Sequence, residues 1–240
     1  RRKLNLFIKI NFMDIEVMGV EEIYRRMLKH FGRQEWWPAG RDFFPREWEI
    51  IIGAILTQNT NWNNVEKALD NLKRKGFDSF ESFLEVKREE LEEMIRPSGF
   101  YKQKAERLRE FVEFVKGYGG VMEFLKSVSR EELLKVRGIG RETADSILLY
   151  AGGRPYFVVD AYTRRVFSRV GLIGEDWDYE RIRAFFEERI RRDVEVYKEF
   201  HALIVELAKR YCRKVPECAG CPLGEVCRYN NEMDSQHSFP

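Results

Sequence analysis

The sequence predicts an all-α protein. Apolar residues recur at helical spacing along most of the chain, as in "GVEEIYRRMLKHFG", where Ile23, Met27, Leu28 and Phe31 share one face. Alternation with a period of two is almost absent, and "RPYFVVD" is the exception, a short extended link. Helix stops punctuate the chain at Gly32, Gly76, Pro97 with Gly99, and Gly152 with Gly153 and Pro155.

Taken in order, Gly19 to Gly32 forms the first helix. "REWEIIIGAILTQN" is a nearly continuous apolar helix and belongs in the core, and "NWNNVEKALDNLKRKG" is amphipathic up to Gly76. "SFESFLEVKREELEEMIRPSG" holds two short helices, and "KQKAERLREFVEFVKGYGG" is a further amphipathic helix with a glycine stop. Ser129 followed by Glu132 is a capping box, in which each side chain bonds the other's backbone N–H. It opens a helix that Gly138 must end. Arg141 starts the next helix, which reaches Ala151, so this stretch reads as helix, five-residue hairpin, helix. Past the link, Asp160 precedes "AYTRRVFSRVG", and "DYERIRAFFEERI" and "YKEFHALIVELAKRYC" follow as helices. A domain break is expected near Gly152–Pro155, with the N-terminal helix free to join either side.

The opening stretch, residues 1–18, is basic then apolar, lacks a small-residue cleavage site and is interrupted by Asn5, Lys9 and Asn11. It is read as a disordered leader rather than a signal peptide. The polar tail, residues 229–240, is read as loose. No apolar run approaches the roughly 20 residues of a membrane helix, and a cytoplasmic protein is expected.

Hydrophobic residues at 44% suffice for a core, and a net charge of +2 excludes a polycationic tail protein. Any nucleic-acid contact must come from local patches: Arg137 with Arg141, then Arg164, Arg165 and Arg169, then Arg213 with Lys214. Each run reads equally well as a solvated helix face. Only three histidines occur, none beside the hairpin, which argues against a histidine-based nucleophilic site.

All four cysteines fall in "CRKVPECAGCPLGEVC", as Cys212, Cys218, Cys221 and Cys227, with Pro and Gly to turn the chain between them. Four thiols so close can surround one metal centre. Disulfides, structural zinc and a [4Fe–4S] cluster all remain open on spacing. Reduced intracellular thiols disfavour the first, and zinc sites more often use two close pairs. The loop from Arg213 to Glu217, held rigid by such a centre, would suit a phosphate contact.

The segments "AILTQNT", "GFYKQKAERL", "VRGIGRETA" and "VVDAYTRRV", followed by the cysteine cluster, together resemble the endonuclease III-like branch of the helix-hairpin-helix (HhH-GPD) DNA glycosylases. The resemblance spans about Ile23 to Cys227, in the family's order. It implies two helical domains flanking a DNA-binding cleft. One is a six-helix barrel, residues 41–153, containing the helix-hairpin-helix at 133–151. The other joins residues 19–40 to the cluster-bearing 154–228. It further implies a monomer that acts on double-stranded DNA in base excision repair, with a [4Fe–4S] cluster on the four cysteines and zinc as the alternative.

Within that resemblance Asp160 is the catalytic residue. Aspartate is a favoured helix N-cap, and partial positive charge at a helix start favours its ionised form. A fixed carboxylate can stabilise a developing sugar cation and orient or deprotonate the attacking water. Gly138 and Gly140 allow positive φ and leave backbone N–H groups unobstructed for a DNA phosphate, with Arg137 and Arg141 beside them. Gln58 and Asn59 at a helix end, and Phe100 in "PSGFY", are the candidates to fill the gap left by an everted nucleotide.

Departures from the family sharpen the expectation. Glu142 stands where lysine-bearing members carry their nucleophile, and a carboxylate forms no Schiff base. Gly53 stands where adenine-removing members carry a proton-donating glutamate, and Arg137 replaces the hairpin's leading proline. These changes leave a monofunctional enzyme suited to bases that leave readily, such as 3-methyladenine or 7-methylguanine. Trp36, Trp37 and Trp62, with Tyr162, are the expected base-pocket residues, since a cationic base gains about 1–3 kcal/mol over indole faces. Trp62 is expected to be exposed. A bifunctional enzyme on oxidised pyrimidines, a thymine glycosylase on G·T mismatches and a non-catalytic DNA-binding scaffold are the alternatives.

Overall fold

The computed structural model describes residues 19–34 and 43–236. The expected leader, Trp36, Trp37 and residues 237–240 lie outside the described residues. The chain divides into two compact units, residues 37–158 and residues 1–36 with 159–240. No helix among the described residues is long and apolar enough to cross a membrane.

In the 37–158 unit, helix α2 (Arg46–Leu56) forms the centre, and α1 (Val20–Phe31) belongs to the other unit. Trp48, Ile51, Ile52, Ile55 and Leu56 of α2 are fully buried, as the unbroken apolar run requires. Around α2 pack α3 (Trp62–Arg74), α6 (Tyr101–Lys116) and α9 (Arg141–Ser146) with the π-helical turn Ile147–Ala151 that continues it. The short helices α4 (Phe80–Leu84), α5 (Arg88–Ile95), α7 (Val121–Ser127) and α8 (Arg130–Lys135) complete the unit. Trp48 stands edge-on to Phe80 and Phe83 at 5.2 and 5.3 Å between ring centres.

Local chemistry sets the element ends. Asn61 and Ser79 cap α3 and α4, and the Ser129–Glu132 capping box forms at the head of α8 with both reciprocal bonds present. Gly152 closes the π turn by donating to Ile147 O at 2.9 Å. Arg130 of α8 grips Asp145 of α9 through Nε and Nη2, at 2.6 and 3.1 Å, with both side chains buried. Helix α7 was not expected. Seven residues between a double-glycine stop and a capping box are too few to display a helical period, yet Val121, Phe124 and Leu125 turn inward onto the core.

In the other unit α1 (Val20–Phe31) packs on α12 (Val194–Arg210), which also carries α10 (Ala161–Val170). Phe167, Phe186 and Phe200 meet edge to face beneath them, with Phe186 supplied by α11 (Tyr179–Glu187). The tail expectation needs correction: residues Arg228–Gln236 form helix α13. It is anchored rather than loose because Arg228 donates to Ser168 O at 3.2 Å, Asn230 donates to Gly224 O at 3.2 Å, and Tyr229 lies beneath the Arg169 guanidinium.

Candidate functional site

Two groups of site residues emerge, one in each unit. In the 37–158 unit the hairpin runs from Val136 to Gly140. Gly138 adopts φ +84°, and a Cβ there would run into the Arg107 side chain. Gly140 does not use that freedom. Its φ is −85° and ψ 175°, extended backbone that any residue adopts, so its role is not conformational. No atom lies within 4 Å of where its Cβ would be. Ile139 between them is buried and anchors the turn in the core. Arg141 and Glu142 are exposed in the first turn of α9.

Gln58 is drawn into this hairpin. Its Nε2 donates to Gly138 O at 2.9 Å and to Thr143 Oγ1 at 3.0 Å, while its Oε1 accepts from Arg107 Nη1 at 2.9 Å. All three polar positions of the amide are therefore engaged by its own unit, where a DNA-reaching side chain was expected. The sequence placed Arg137 as a phosphate ligand. In the structure its guanidinium is held by Glu106 and Glu110 of α6, with Nε donating to Glu110 Oε2 at 3.0 Å.

Asn59 and Phe100 are the described non-glycine residues with positive φ, at 54° and 46°. Backbone strain of this kind collects at functional positions. Phe100 is 64% exposed, so its ring has not been taken by the core. One buried side chain ties the two loops together: Lys104 Nζ donates to Leu56 O at 2.8 Å and to Ser98 O at 2.7 Å. Burial, with Arg107 nearby adding repulsion, pushes the Lys104 ammonium down to about 8. Sequence reading passed over both Arg107 and Lys104. Trp62, the first residue of α3, is half-buried and packed on the core rather than exposed.

In the other unit Asp160 caps α10. Its Oδ1 accepts from Thr163 N at 2.7 Å and from Thr163 Oγ1 at 2.8 Å. Its Oδ2 lies 3.5 Å from His201 Nε2 of α12, and the carboxylate side chain is only 13% exposed. Burial, the largest influence, pushes the Asp160 carboxyl up, but His201 and then Thr163 pull it below its usual value. It is thus held as a carboxylate in a nearly dry site. Tyr162 is half-buried one residue beyond the start of α10, with the Arg165 guanidinium 5.1 Å from its ring centre.

The arginines of α10 serve their own unit rather than forming a bare basic patch. Arg164 donates to Trp177 O at 2.8 Å, Arg165 to Cys212 O at 2.7 Å, and Arg169 to Arg213 O and Lys214 O at 2.6 and 3.0 Å. Arg169 also reaches Cys212 Sγ at 3.4 Å. Arg213 itself folds back onto Lys209 O and Glu217, leaving Lys214 and Val215 exposed at the loop tip.

Cys212, Cys218, Cys221 and Cys227 line a single cavity with Arg169 and Leu223. Burial pushes Cys221 up to about 11 and also raises Cys227, and both feel Cys212 and Cys218 electrostatically. As placed, however, no three His, Cys, Asp or Glu side chains among the described residues converge into a metal-holding group. The donor set, four thiols about one cavity, is the kind that could hold a thiolate-bound metal centre, though the four are not gathered into one as placed.

Residues 52–192 match the family model for HhH-GPD superfamily base excision DNA repair proteins. The chain belongs to that superfamily. Among its HhH-GPD relatives, a Methanocaldococcus jannaschii protein provisionally named a DNA repair glycosylase is 47% identical over 87% of this chain and 95% of its own length. Endonuclease III of Thermotoga maritima is 30% identical over 88% of this chain and 92% of its own. Among solved structures, the Helicobacter pylori 3-methyladenine DNA glycosylase bound to 1,N6-ethenoadenine aligns with TM-score 0.67 and 31% identity, covering 83% of this chain and 97% of that one. The all-α fold is that of the HhH-GPD superfamily, and the chain is a base excision repair DNA glycosylase at that level.

Proposed function

We propose that the chain is a monofunctional glycosylase that everts a damaged nucleotide from double-stranded DNA and hydrolyses its N-glycosidic bond with Asp160. The observation that carries this reading is the Asp160 carboxylate, fixed at the head of α10 by Thr163 and kept ionised in a nearly dry setting. The C1′–N bond breaks with its electron pair leaving on the base. The carboxylate stabilises the sugar cation left behind, and water adds to C1′ while passing a proton to a basic oxygen such as Asp160's.

The hairpin amides around Gly140, with Arg141, would hold a phosphate, and the exposed Phe100 ring would fill the stack beside Asn59. Gln58 and Arg137 support that hairpin from behind. Lys214 and, after rearrangement, Arg213 would supply further phosphate contacts. The four cysteines would hold a [4Fe–4S] cluster, or zinc in the alternative, whose contribution is to brace the Arg213–Glu217 loop. The enzyme is proposed to work as a monomer.

Alkylated purines such as 3-methyladenine and 7-methylguanine are the proposed substrates. Glu142 occupies the position of the family's lysine nucleophile. Lys104, though lowered to about 8, is buried and committed to two carbonyl groups, so it does not replace that lysine. The similarity to the 3-methyladenine glycosylase supports the same class. Trp62, Tyr162, Trp36 and Trp37 are proposed for the base pocket. The 30% identity to an endonuclease III favours a second reading, a glycosylase for oxidised pyrimidines or mispaired thymine.

A panel of duplexes carrying 7-methylguanine, 1,N6-ethenoadenine, thymine glycol or thymine opposite guanine separates these. Base release from the first two, strand breaks only after alkali and no borohydride-trapped complex are expected, together with loss of release in Asp160→Asn at retained DNA affinity. Fast release by Asp160→Asn, or a robust trapped complex, would overturn the proposal.

A further inference from the structure

The two oxygens of the Asp160 carboxylate face two different elements of its own unit, Oδ1 in hydrogen bonds and Oδ2 in a longer contact. Thr163 holds Oδ1 through its N–H and its hydroxyl. His201, from α12, faces Oδ2 with Nε2 at 3.5 Å, and only 8% of its side chain is exposed. An ionised carboxylate can only accept hydrogen bonds, so a bond between the two requires the hydrogen on His201 Nε2. His201 also interrupts a run of buried apolar side chains: Phe200, Ala202, Leu203 and Ile204 surround it in sequence. A polar ring in that position is costly unless it is bonded.

We infer that His201 is a positioning residue of the reaction, its Nε2–H directed at Oδ2 so that the Asp160 carboxylate is clamped at both oxygens. This inference rests on the reading of Asp160 as the catalytic group. The torsion that turns a carboxylate about its Cβ–Cγ bond is soft and broad. Thr163 alone grips one oxygen and leaves the group free to pivot about it. A second donor on the other oxygen removes that freedom and leaves Oδ2 one outward lone pair for the sugar or the water. His201 touches no substrate in this scheme and exchanges no proton with it.

The test measures single-turnover base release on whichever of the four panel duplexes the wild-type enzyme cleaves fastest, alongside affinity for a duplex holding a tetrahydrofuran abasic-site analogue. His201→Leu should slow release on the order of 10–100-fold while affinity stays within about twofold, since misorienting a reacting group costs that much. His201→Gln, whose Nε2–H reaches a similar point, should recover most of the rate, and the shorter His201→Asn should not. A leucine variant releasing base at the wild-type rate, or a glutamine variant as slow as leucine with an intact fold by circular dichroism, would overturn the inference. If His201→Leu does not fold, the glutamine and asparagine variants decide by the same criterion. Asp160→Asn separates the two layers: inactive with unaffected His201 variants, only the positioning role falls; active, the catalytic reading falls with it. A wild type that releases none of the four bases overturns both.

Discussion

Gln58 Nε2 donates to the carbonyl oxygen of Gly138, eighty residues further along the chain, at 2.9 Å. A glutamine at a helix end is thereby a brace for the hairpin, and Arg107 braces the glutamine in turn. Removing the amide in Gln58→Ala leaves Gly138 O, Thr143 and Arg107 without it. A loss of about 1–3 kcal/mol is expected in denaturant titrations. Affinity for the abasic-analogue duplex should weaken as well, because the hairpin loosens.

The two hairpin glycines should separate cleanly. Gly138→Ala forces a side chain onto φ +84° and into the Arg107 side chain, so destabilisation of about 1–3 kcal/mol is expected. Gly140→Ala fits the backbone at φ −85° and meets no neighbour within 4 Å. Its melting temperature should be unchanged or slightly raised, while its new methyl group stands among the amides proposed to meet a phosphate and lowers DNA affinity. Thermal melts paired with binding isotherms check both halves.

Lys104→Met should cost about 2–4 kcal/mol at neutral pH, since two buried carbonyls lose their donor. The sign of the pH effect follows from the lowered value. The folded chain releases this proton near pH 8, whereas the unfolded chain keeps it to about its ordinary 10.5. Between those values the unfolded state binds more protons, so the lysine's contribution to stability increases as pH rises. The stability gap between wild type and Lys104→Met should therefore widen from pH 8 to 10 in urea titrations. A gap that narrows would mean the ammonium is favoured, not penalised, by its site.

Arg130 and Asp145 form a buried two-bond pair joining the helices on either side of the hairpin. Arg130→Met alone should lose about 3–5 kcal/mol because a carboxylate is left buried without its cation. Arg130→Met with Asp145→Leu should recover most of it. A double variant as unstable as the single one would show that the ion pair is not the source of the loss.

Much of this protein was legible in its sequence because much of it is local. Helical periods, the Ser129–Glu132 box, the glycine stops and the capping of α10 by Asp160 depend on residues three or four positions apart, and each formed as the spacing required. The grouping of four cysteines about one cavity likewise follows from their closeness in the chain. Helix α7 escaped because it is shorter than two helical turns, and helix α13 because its support comes from Ser168, Arg169 and Gly224 rather than from its own polar residues.

Only the tertiary structure decided which distant groups meet. Arg137 could be read as a phosphate ligand until α6 presented Glu106 and Glu110 to it, and the α10 arginines until carbonyls of residues 177 and 212–214 took them up. His201 looked like packing within an apolar helix until Asp160 came within 3.5 Å. The physical reason is common to these cases. A side chain's propensity is written in its neighbours along the chain, but its hydrogen-bond partner is selected by burial, which leaves a polar group no water and obliges it to use whatever the fold has brought beside it.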